Sequence, residues 1–234
     1  MRAAQAGSRA SCRLSRNAAL FDLDRTLISR SSALALASSF RRHGLISRSV
    51  LAKSVFWQAL FALRGVSADR VRSASEDGMK VLAGFSVADM QLLVGDAMEA
   101  VLRPLVYQEP LRLVQQHRAR GERVYIVSAT LHEIVAHIAE DLGFDGAIGS
   151  TCEIVDGVYT GRSLRALHGI GKAEAVRDLA VAEGIDLAGS TAYSDSYSDV
   201  PFLEAVGHPV AANPDRRLRR IAALRDWPVV EFAS

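Results

Sequence analysis

The alternation of short apolar runs with helical patterns after residue 104 is the feature that most constrains how this chain can fold. Strands that alternate with helices form a parallel sheet with helices on both faces. We therefore expect an α/β fold with a doubly wound, Rossmann-like parallel sheet. The predicted elements are helix 109–120, strand 123–127, helix 131–141, a short strand at 146–149, a hairpin at 152–161 that turns on Asp156-Gly157, helix 171–183, strand 190–194, helix 199–206, strand 208–212, helix 214–225 and strand 228–232.

One more apolar strand, at 18–21, precedes a segment with few strand signals. In that segment the patterns predict helices at 31–42, 47–63, 68–82 and 86–102, the last of them begun by Ser86 and Asp89 at capping-box spacing. Since the strand at 18–21 belongs with the later strands, we expect a core made of residues 18–29 and 105–234. Residues 30–104 would form a helical cap domain inserted after the first strand.

The composition is that of a globular chain, with 234 residues of which 49% are hydrophobic and 23% charged. The net charge of +2 includes four arginines and no acid in residues 1–21, so the rest of the chain sums to −2. Because the chain after residue 21 is close to neutral, the charge argues against nucleic-acid binding. Residues 1–17 are expected to be a flexible basic extension. No apolar run is long enough to span a bilayer. Cys12 and Cys152 lie far apart, which predicts a reducing, cytoplasmic setting.

Two aspartates, Asp22 and Asp24, directly follow the strand at 18–21. Their side chains should share a direction, because successive strand residues point to opposite faces. Acidic pairs also occur in ordinary turns. Two like-charged oxygen donors at the carboxyl edge of a sheet need a proton or a cation, however, and open α/β sheets bind ligands at this edge. The pattern therefore favours a Mg²⁺ site.

Three further segments carry polar residues that could do chemistry. Ser128 follows the apolar strand at 123–127, where it could equally be a helix N-cap. Lys172 lies at the start of a predicted helix, where the helix dipole disfavours a cation unless solvent or an anion is near. Asp195 and Asp199 follow the strand at 190–194, where a solvated acidic loop is the ordinary alternative.

The order of these four segments resembles the haloacid dehalogenase superfamily of phosphoryl-transfer enzymes. The resemblance is to the phosphoserine-phosphatase-like branch, the subfamily IB type with a helical C1 cap, and it covers about residues 18–232. Its most specific part is Phe21-Asp22-Leu23-Asp24-Arg25-Thr26-Leu27.

The resemblance implies a Mg²⁺-dependent phosphatase that hydrolyses a small phosphate monoester through an aspartyl-phosphate intermediate. It makes Asp22 the nucleophile and a metal ligand, and Asp24 the general acid and base, with its backbone carbonyl also on the metal. Asp195 would complete the metal ligands with Asp199 in support. The residues expected to hold the phosphate are Thr26, Ser128, Ala129 and Lys172, of which Lys172 would also act in catalysis by neutralising charge.

The sequence departs from that pattern at two places. Phosphoserine phosphatases carry a glutamate shortly after the first motif that meets the amino group of the substrate, whereas residues 28–32 contain no acid. The usual Gly-Asp of the fourth motif is Ser194-Asp195. A phosphotransferase with the same intermediate and a catalytically idle module that binds a phosphorylated ligand stay open as alternatives. A dehalogenase is disfavoured, because that chemistry needs neither Asp24 nor a metal.

The predicted cap is basic in its first half, since residues 30–64 contain six basic residues and no acid. Residues 49–63 within it form a largely apolar helical pattern. This helix could be buried in the cap, or the cap could admit an apolar phosphate ester or touch an anionic membrane surface. The expected partners are thus a small phosphorylated substrate and, as an option, a membrane surface contacted peripherally, with no nucleic acid. The oligomeric state stays open.

Overall fold

The computed structural model describes residues 16–42 and 79–233. Within these residues a single sheet has the strand order β4-β3-β2-β1-β5-β6-β7. Strands β2, β1, β5, β6 and β7 pair in parallel, as predicted. The strands are β1 (Ala18–Phe21), β2 (Arg123–Leu131), β3 (Gly146–Val155), β4 (Val158–Arg165), β5 (Thr191–Ser194), β6 (His208–Ala212) and β7 (Val229–Val230).

Strand β1 lies at the centre of the sheet and has no exposed residue. Its last residue, Phe21, pairs with Ile126 of β2 and with Tyr193 of β5. Phe21 joins the apolar cluster on one face of the sheet, whereas the preceding residue, Leu20, joins the cluster on the other face. This alternation explains why the short run Ala18–Phe21 is apolar throughout, as is usual for a parallel strand covered on both faces.

The edge of the sheet at β3 and β4 differs from the prediction. The strand predicted at 146–149 and the first arm of the predicted hairpin form one continuous strand, which pairs in parallel with β2 and antiparallel with β4. The turn is Asp156-Gly157, as predicted, with φ of 50° and 76° at the two residues. Because such a two-residue turn reverses the chain directly, the sheet becomes mixed at this edge.

Helices cover both faces of the sheet. Two of them depart furthest from their predicted lengths. The helix predicted at 86–102 is α-helical only to Ala97 and continues as a π-helical turn at Met98–Leu102 and a 3₁₀ turn at Arg103–Leu105. The helix predicted at 199–206 is four residues long. The helices are α1 (Ser32–Arg42), α2 (Val87–Ala97), α3 (Gln108–Ala119), α4 (His132–Asp141), α5 (Ile170–Glu183), α6 (Val200–Leu203) and α7 (Arg216–Leu224).

Prolines and a side-chain cap account for these differences. Pro104 lies in the 3₁₀ turn, where a residue without a backbone N–H interrupts regular α-helical bonding. Before α6, the Ser196 side chain caps a separate 3₁₀ turn at Tyr197–Asp199, and Pro201 is in the first turn of the helix that follows. The helix predicted at 47–63, most of the one at 68–82 and residues 1–15 of the predicted extension lie outside the described residues.

The segments that lead into and out of the predicted cap are joined at its base. Ile28 forms an antiparallel bridge with Val106. The amide of Ser29 donates to the carbonyl oxygen of Leu105 at 2.8 Å, and the amide of Tyr107 donates to that of Leu27 at 2.9 Å. The inserted chain therefore begins and ends at adjacent points of the core.

The β3–β4 hairpin makes a second backbone connection to the insertion. Gly84 donates to the carbonyl oxygen of Tyr159, and Tyr159 donates to that of Phe85, each at 2.9 Å. Val87, at the start of α2, donates to Gly157 at 2.9 Å. The hairpin thus fixes the chain just before α2 to the core. No helix in the described ranges is long and apolar enough to cross a membrane.

Candidate active site

The carboxyl end of β1 presents Asp22 and Asp24 in a tight loop. The amide of Asp22 donates to the Tyr193 carbonyl oxygen at 2.9 Å, which extends the pairing with β5 by one bond. The loop then closes on Leu23, whose carbonyl oxygen accepts from Leu27 at 2.9 Å and from Ile28 at 3.0 Å. Because the backbone is held on both sides, the two carboxylates are presented from a rigid turn.

Lys172, in the first turn of α5, forms the centre of the site. Its Nζ donates to Asp22 Oδ1 and to Asp199 Oδ2, both at 2.6 Å, and its side chain is 2% exposed. Ser194 Oγ donates to the same Asp199 oxygen at 2.7 Å. The anion that the helix dipole requires near this lysine is therefore present, and the solvated alternative for Lys172 is wrong.

The acids in this cluster outnumber the lysine that neutralises them, and their pKa values reflect this. Burial, opposed by Lys172 and reinforced by Asp199, raises the pKa of Asp22 to about 7. Burial together with the charges of Asp22 and Asp199 raises the pKa of Asp195 to about 8. Burial alone would lower the pKa of Lys172, but the two carboxylates it contacts outweigh burial and hold that pKa above its usual value. The site consequently has a deficit of positive charge at neutral pH.

Asp24 lies beside Asp22 but has different partners. Its Oδ1 accepts a 2.8 Å hydrogen bond from the backbone amide of Ser32, at the start of α1. Burial raises the pKa of Asp24, and hydrogen bonds from Ser32 and Ser31 oppose that effect. Asp24 therefore retains a proton more readily than an exposed aspartate does, which suits a group that donates a proton.

A chain of hydrogen bonds joins Asp24 to the end of β2. Ser32, whose amide binds Asp24, pairs its hydroxyl with that of Thr130 at 3.0 Å. The amide of Thr130 donates to Ser128 Oγ at 3.1 Å. The predicted residues Ser128 and Ala129 lie inside β2, which runs further than expected, and Ser128 is buried. Ser32 and Thr130 were missed by the sequence reasoning, because an isolated serine or threonine carries no distinctive pattern.

Another aspartate, Asp215, supports the loop that carries Asp195. The amide of Asp215 donates to the backbone oxygen of Asp195 at 2.8 Å, and its carboxylate accepts from the amide of Tyr197 at 2.8 Å. The same carboxylate caps α7 by accepting from Arg217 and Leu218. Sequence reasoning missed Asp215, although an aspartate just before a helical pattern is a recognisable N-cap.

Thr26 was predicted to orient a phosphoryl group. The residue is completely buried, and its Oγ1 has no hydrogen-bond partner among the described residues. The role of this enclosed hydroxyl toward the phosphoryl group therefore stays a prediction.

The donor set fits a small divalent cation. Among the described residues no group of three or more His, Cys, Asp or Glu side chains is arranged to hold a metal ion. Mg²⁺ needs fewer, because it binds through one or two carboxylates and completes its octahedral shell with water and substrate oxygens. Asp22 and Asp195 are buried carboxylates whose pKa values are raised by burial and by neighbouring carboxylates, which are Asp199 and Asp24 for Asp22, and Asp22 and Asp199 for Asp195. A divalent cation would relieve the repulsion among these carboxylates.

Comparison with known proteins agrees with this geometry. Residues 19–204 match the sequence model of a family described as haloacid dehalogenase-like hydrolase. The chain belongs to this family. A probable phosphatase of Mycobacterium tuberculosis is 41% identical over 218 residues, which cover 93% of this chain and 76% of that protein. A phosphoserine phosphatase, SerB1, of the same organism is 40% identical over 218 residues, covering 92% of this chain and 70% of the relative.

Solved structures agree with the fold. A protein of unknown function from Bordetella pertussis superposes with a TM-score of 0.80 at 33% identity, covering 92% of this chain and 98% of that one. A phosphoserine phosphatase, solved as an analogue of its phospho-aspartyl intermediate, has a TM-score of 0.65 at 19% identity and covers 93% of both chains, which supports the fold alone. The predicted superfamily and α/β fold are therefore confirmed, and the chain is a hydrolase of the haloacid dehalogenase-like family.

Proposed function

We propose that this protein is a Mg²⁺-dependent phosphatase that hydrolyses a small phosphate monoester through an aspartyl-phosphate on Asp22. The proposal rests mainly on the contacts of the buried Lys172 ammonium. Its Nζ lies 2.6 Å from Asp22 Oδ1 and 2.6 Å from Asp199 Oδ2. Lys172 engages Asp22 Oδ1, and no described residue donates a hydrogen bond to Oδ2. One oxygen of Asp22 is thereby fixed in direction while the other is left to react.

In the first step, Asp22 Oδ2 attacks phosphorus and the bond between phosphorus and the ester oxygen breaks. The electron pair of that bond leaves with the ester oxygen, which takes a proton from Asp24. In the second step, water attacks the phosphorus of the aspartyl-phosphate while Asp24 accepts its proton. The bond to Asp22 breaks, inorganic phosphate is released, and both residues return to their starting states.

The remaining residues stabilise the charge on the transferred group. Lys172 would neutralise negative charge on Asp22 and on the phosphoryl oxygens. Ser128 and the amide of Ala129 would hold those oxygens, and Thr26 would help to orient the phosphoryl group. When bound, Mg²⁺ would supply further positive charge, with Asp22, the carbonyl of Asp24 and Asp195 as its protein ligands. Asp199 would support that site by fixing Lys172 and accepting from Ser194.

The same proposal includes the division of the chain and its setting. Residues 18–29 and 105–234 would be the catalytic core, and residues 30–104 the cap over the carboxyl edge of the sheet. Cys152 is a buried free thiol, which is consistent with a cytoplasmic location. The partner of the site would be a small phosphorylated molecule.

The test is acid-quench trapping with a radiolabelled phosphate ester. Wild-type enzyme with Mg²⁺ should yield a labelled protein, and Asp22→Asn should yield none and lose at least about a hundredfold in kcat, or about 2.7 kcal/mol of transition-state stabilisation. Asp96→Asn is the matched control, because Asp96 is exposed on α2. Full turnover in excess EDTA would refute the metal requirement. Label that passes to an added alcohol in preference to water would identify a phosphotransferase instead.

A further inference from the structure

A cavity of about 680 Å³ adjoins the acid cluster. It lies between the loop that follows β1 and the irregular helical segment before Val106. Its polar wall contains two arginines and two serines, Arg25, Ser29, Arg30 and Ser31. Its opposite wall is apolar and includes Leu34 and Leu105.

The cavity and the candidate active site share residues. Ser31, in the polar wall, and Arg25 lie close enough to the acid cluster to act on it, because Ser31 opposes the rise in the pKa of Asp24 and the guanidinium of Arg25 opposes the rise in the pKa of Asp195. The backbone oxygen of Arg25 accepts from Asn213 at 3.1 Å, which fixes the loop in place. The organic part of an ester whose phosphoryl group lies at Asp22 would therefore extend into this cavity.

The charge of the cavity is one-sided. No acidic residue is among its described lining residues, and within the described chain neither Arg25 nor Arg30 forms an ion pair or a side-chain hydrogen bond. Arg103 and Arg162, which are also exposed, differ in this respect, since they pair with Asp141 and Glu153. Two guanidinium groups that no carboxylate of the described residues contacts can each offer a forked set of donors to a planar anion.

We propose that this cavity selects phosphate monoesters whose organic part carries a second acidic group and no ammonium. Arg30 is the specificity-determining residue, and Arg25 assists it from the catalytic loop. An ammonium group placed here would face two cations and no carboxylate of the described lining, so the site would reject it by charge repulsion. The proposal rests on the phosphatase function above and names its substrate class.

Four esters of similar size test the effects of the carboxylate and of the ammonium separately. In 3-phosphoglycerate a hydroxyl replaces the ammonium of O-phosphoserine, and both esters carry a carboxylate. Glycerol 3-phosphate and O-phosphoethanolamine have no carboxylate, and only the second has an ammonium. We expect kcat/KM for 3-phosphoglycerate to exceed that for each of the others by at least about tenfold, which corresponds to one well-placed charged hydrogen bond.

Variants of Arg30 then test the residue itself. Arg30→Gln should lower kcat/KM for 3-phosphoglycerate by about tenfold and change that for glycerol 3-phosphate by less than about twofold. Arg30→Glu should place O-phosphoethanolamine ahead of 3-phosphoglycerate. Arg220→Gln is the control, because Arg220 is an exposed residue of α7 outside the cavity, and it should leave the ranking unchanged. Arg30 is itself exposed, so folding should persist, and circular dichroism checks this.

The outcomes separate this inference from the function on which it rests. Hydrolysis of p-nitrophenyl phosphate and glycerol 3-phosphate with O-phosphoserine ahead of 3-phosphoglycerate would overturn the selection and leave the phosphatase intact. Equal losses of kcat/KM for the carboxylated and the uncarboxylated esters in Arg30→Gln would also overturn the selection and leave the phosphatase intact. Failure to hydrolyse any of these five esters would overturn both.

Discussion

Replacement of Lys172 by methionine should destabilise the protein strongly and in a pH-dependent way. Methionine keeps most of the volume of the side chain but removes the cation that contacts Asp22 and Asp199 at 2.6 Å. The side chain of Lys172 is 2% exposed and those of its two partners are 9% exposed, so the stranded carboxylates would be poorly hydrated. Removal of one partner from a buried ion pair costs about 3–5 kcal/mol.

Thermal unfolding in EDTA followed by circular dichroism measures this effect. A loss of 1 kcal/mol lowers Tm by about 2–4 °C in a chain of this size, so Lys172→Met should unfold about 6–20 °C below wild type at neutral pH. The deficit should shrink toward pH 5, because protonation of the stranded carboxylates removes the buried charge. The double variant Lys172→Met/Asp199→Asn should recover part of the loss, since it has one stranded carboxylate fewer.

Two results would refute this reasoning. A Tm of Lys172→Met within about 2 °C of wild type at neutral pH would mean that the ion pairs contribute nothing net to stability. A deficit that stays constant from pH 5 to pH 8 would mean that the loss comes from packing, because packing does not titrate.

Three further predictions concern the acid cluster and two glycines. In EDTA, the Tm of the wild type should fall as the pH rises from about 5 to about 8, and Mg²⁺ should make this fall less steep. The reason is that the folded-state pKa values of about 7 for Asp22 and about 8 for Asp195 exceed the ordinary value of 3.8. The folded state therefore binds more protons than the unfolded state in that range, and stability is lost as they dissociate. Asp24→Asn should lower kcat by about a hundredfold or more in steady-state assays and accumulate phospho-enzyme in acid-quench trapping, since water loses its base. Gly207→Ala should lower Tm markedly, because the added Cβ would lie 1.8 Å from the backbone oxygen of Ala188. Gly95→Ala is the control and should not lower Tm in this way, because the nearest atom to its added Cβ outside its own helix is 3.6 Å away, in His137.

Much of the site could be predicted from the sequence because its parts follow buried strands. Strand ends at one edge of a parallel sheet meet in space, so the positions of Asp22 and Asp195 could be inferred from two apolar runs. It could also be predicted that Lys172 lies near an anion, since a cation at the start of a helix needs one. The contact between Lys172 and Asp199 could not, because it depends on how α5 packs against the loop after β5.

The parts that the sequence did not predict depend on tertiary contacts. The continuous strand β3 contains a segment that reads as a short strand followed by a separate hairpin, and only its pairing with both neighbours joins the two. The hydroxyl groups of Ser32 and Thr130 belong to elements far apart in the chain, and they meet only after α1 begins beside β2. The cavity with Arg25 and Arg30 requires the segment before Val106 as its second wall.

The short ribbon at the base of the insertion has a consequence for how such a chain can diversify. Leu27 and Ser29 bond to Tyr107 and Leu105, so the core contacts the inserted segment first through two neighbouring backbones. The entropy of closing a loop grows only with the logarithm of its length, so a change in the number of residues between 42 and 79 would add little entropic cost to folding. The carboxyl edge of the sheet can thus keep Asp22, Lys172 and Asp195 in place while the inserted segment varies in length, and new substrates become accessible without rebuilding those residues.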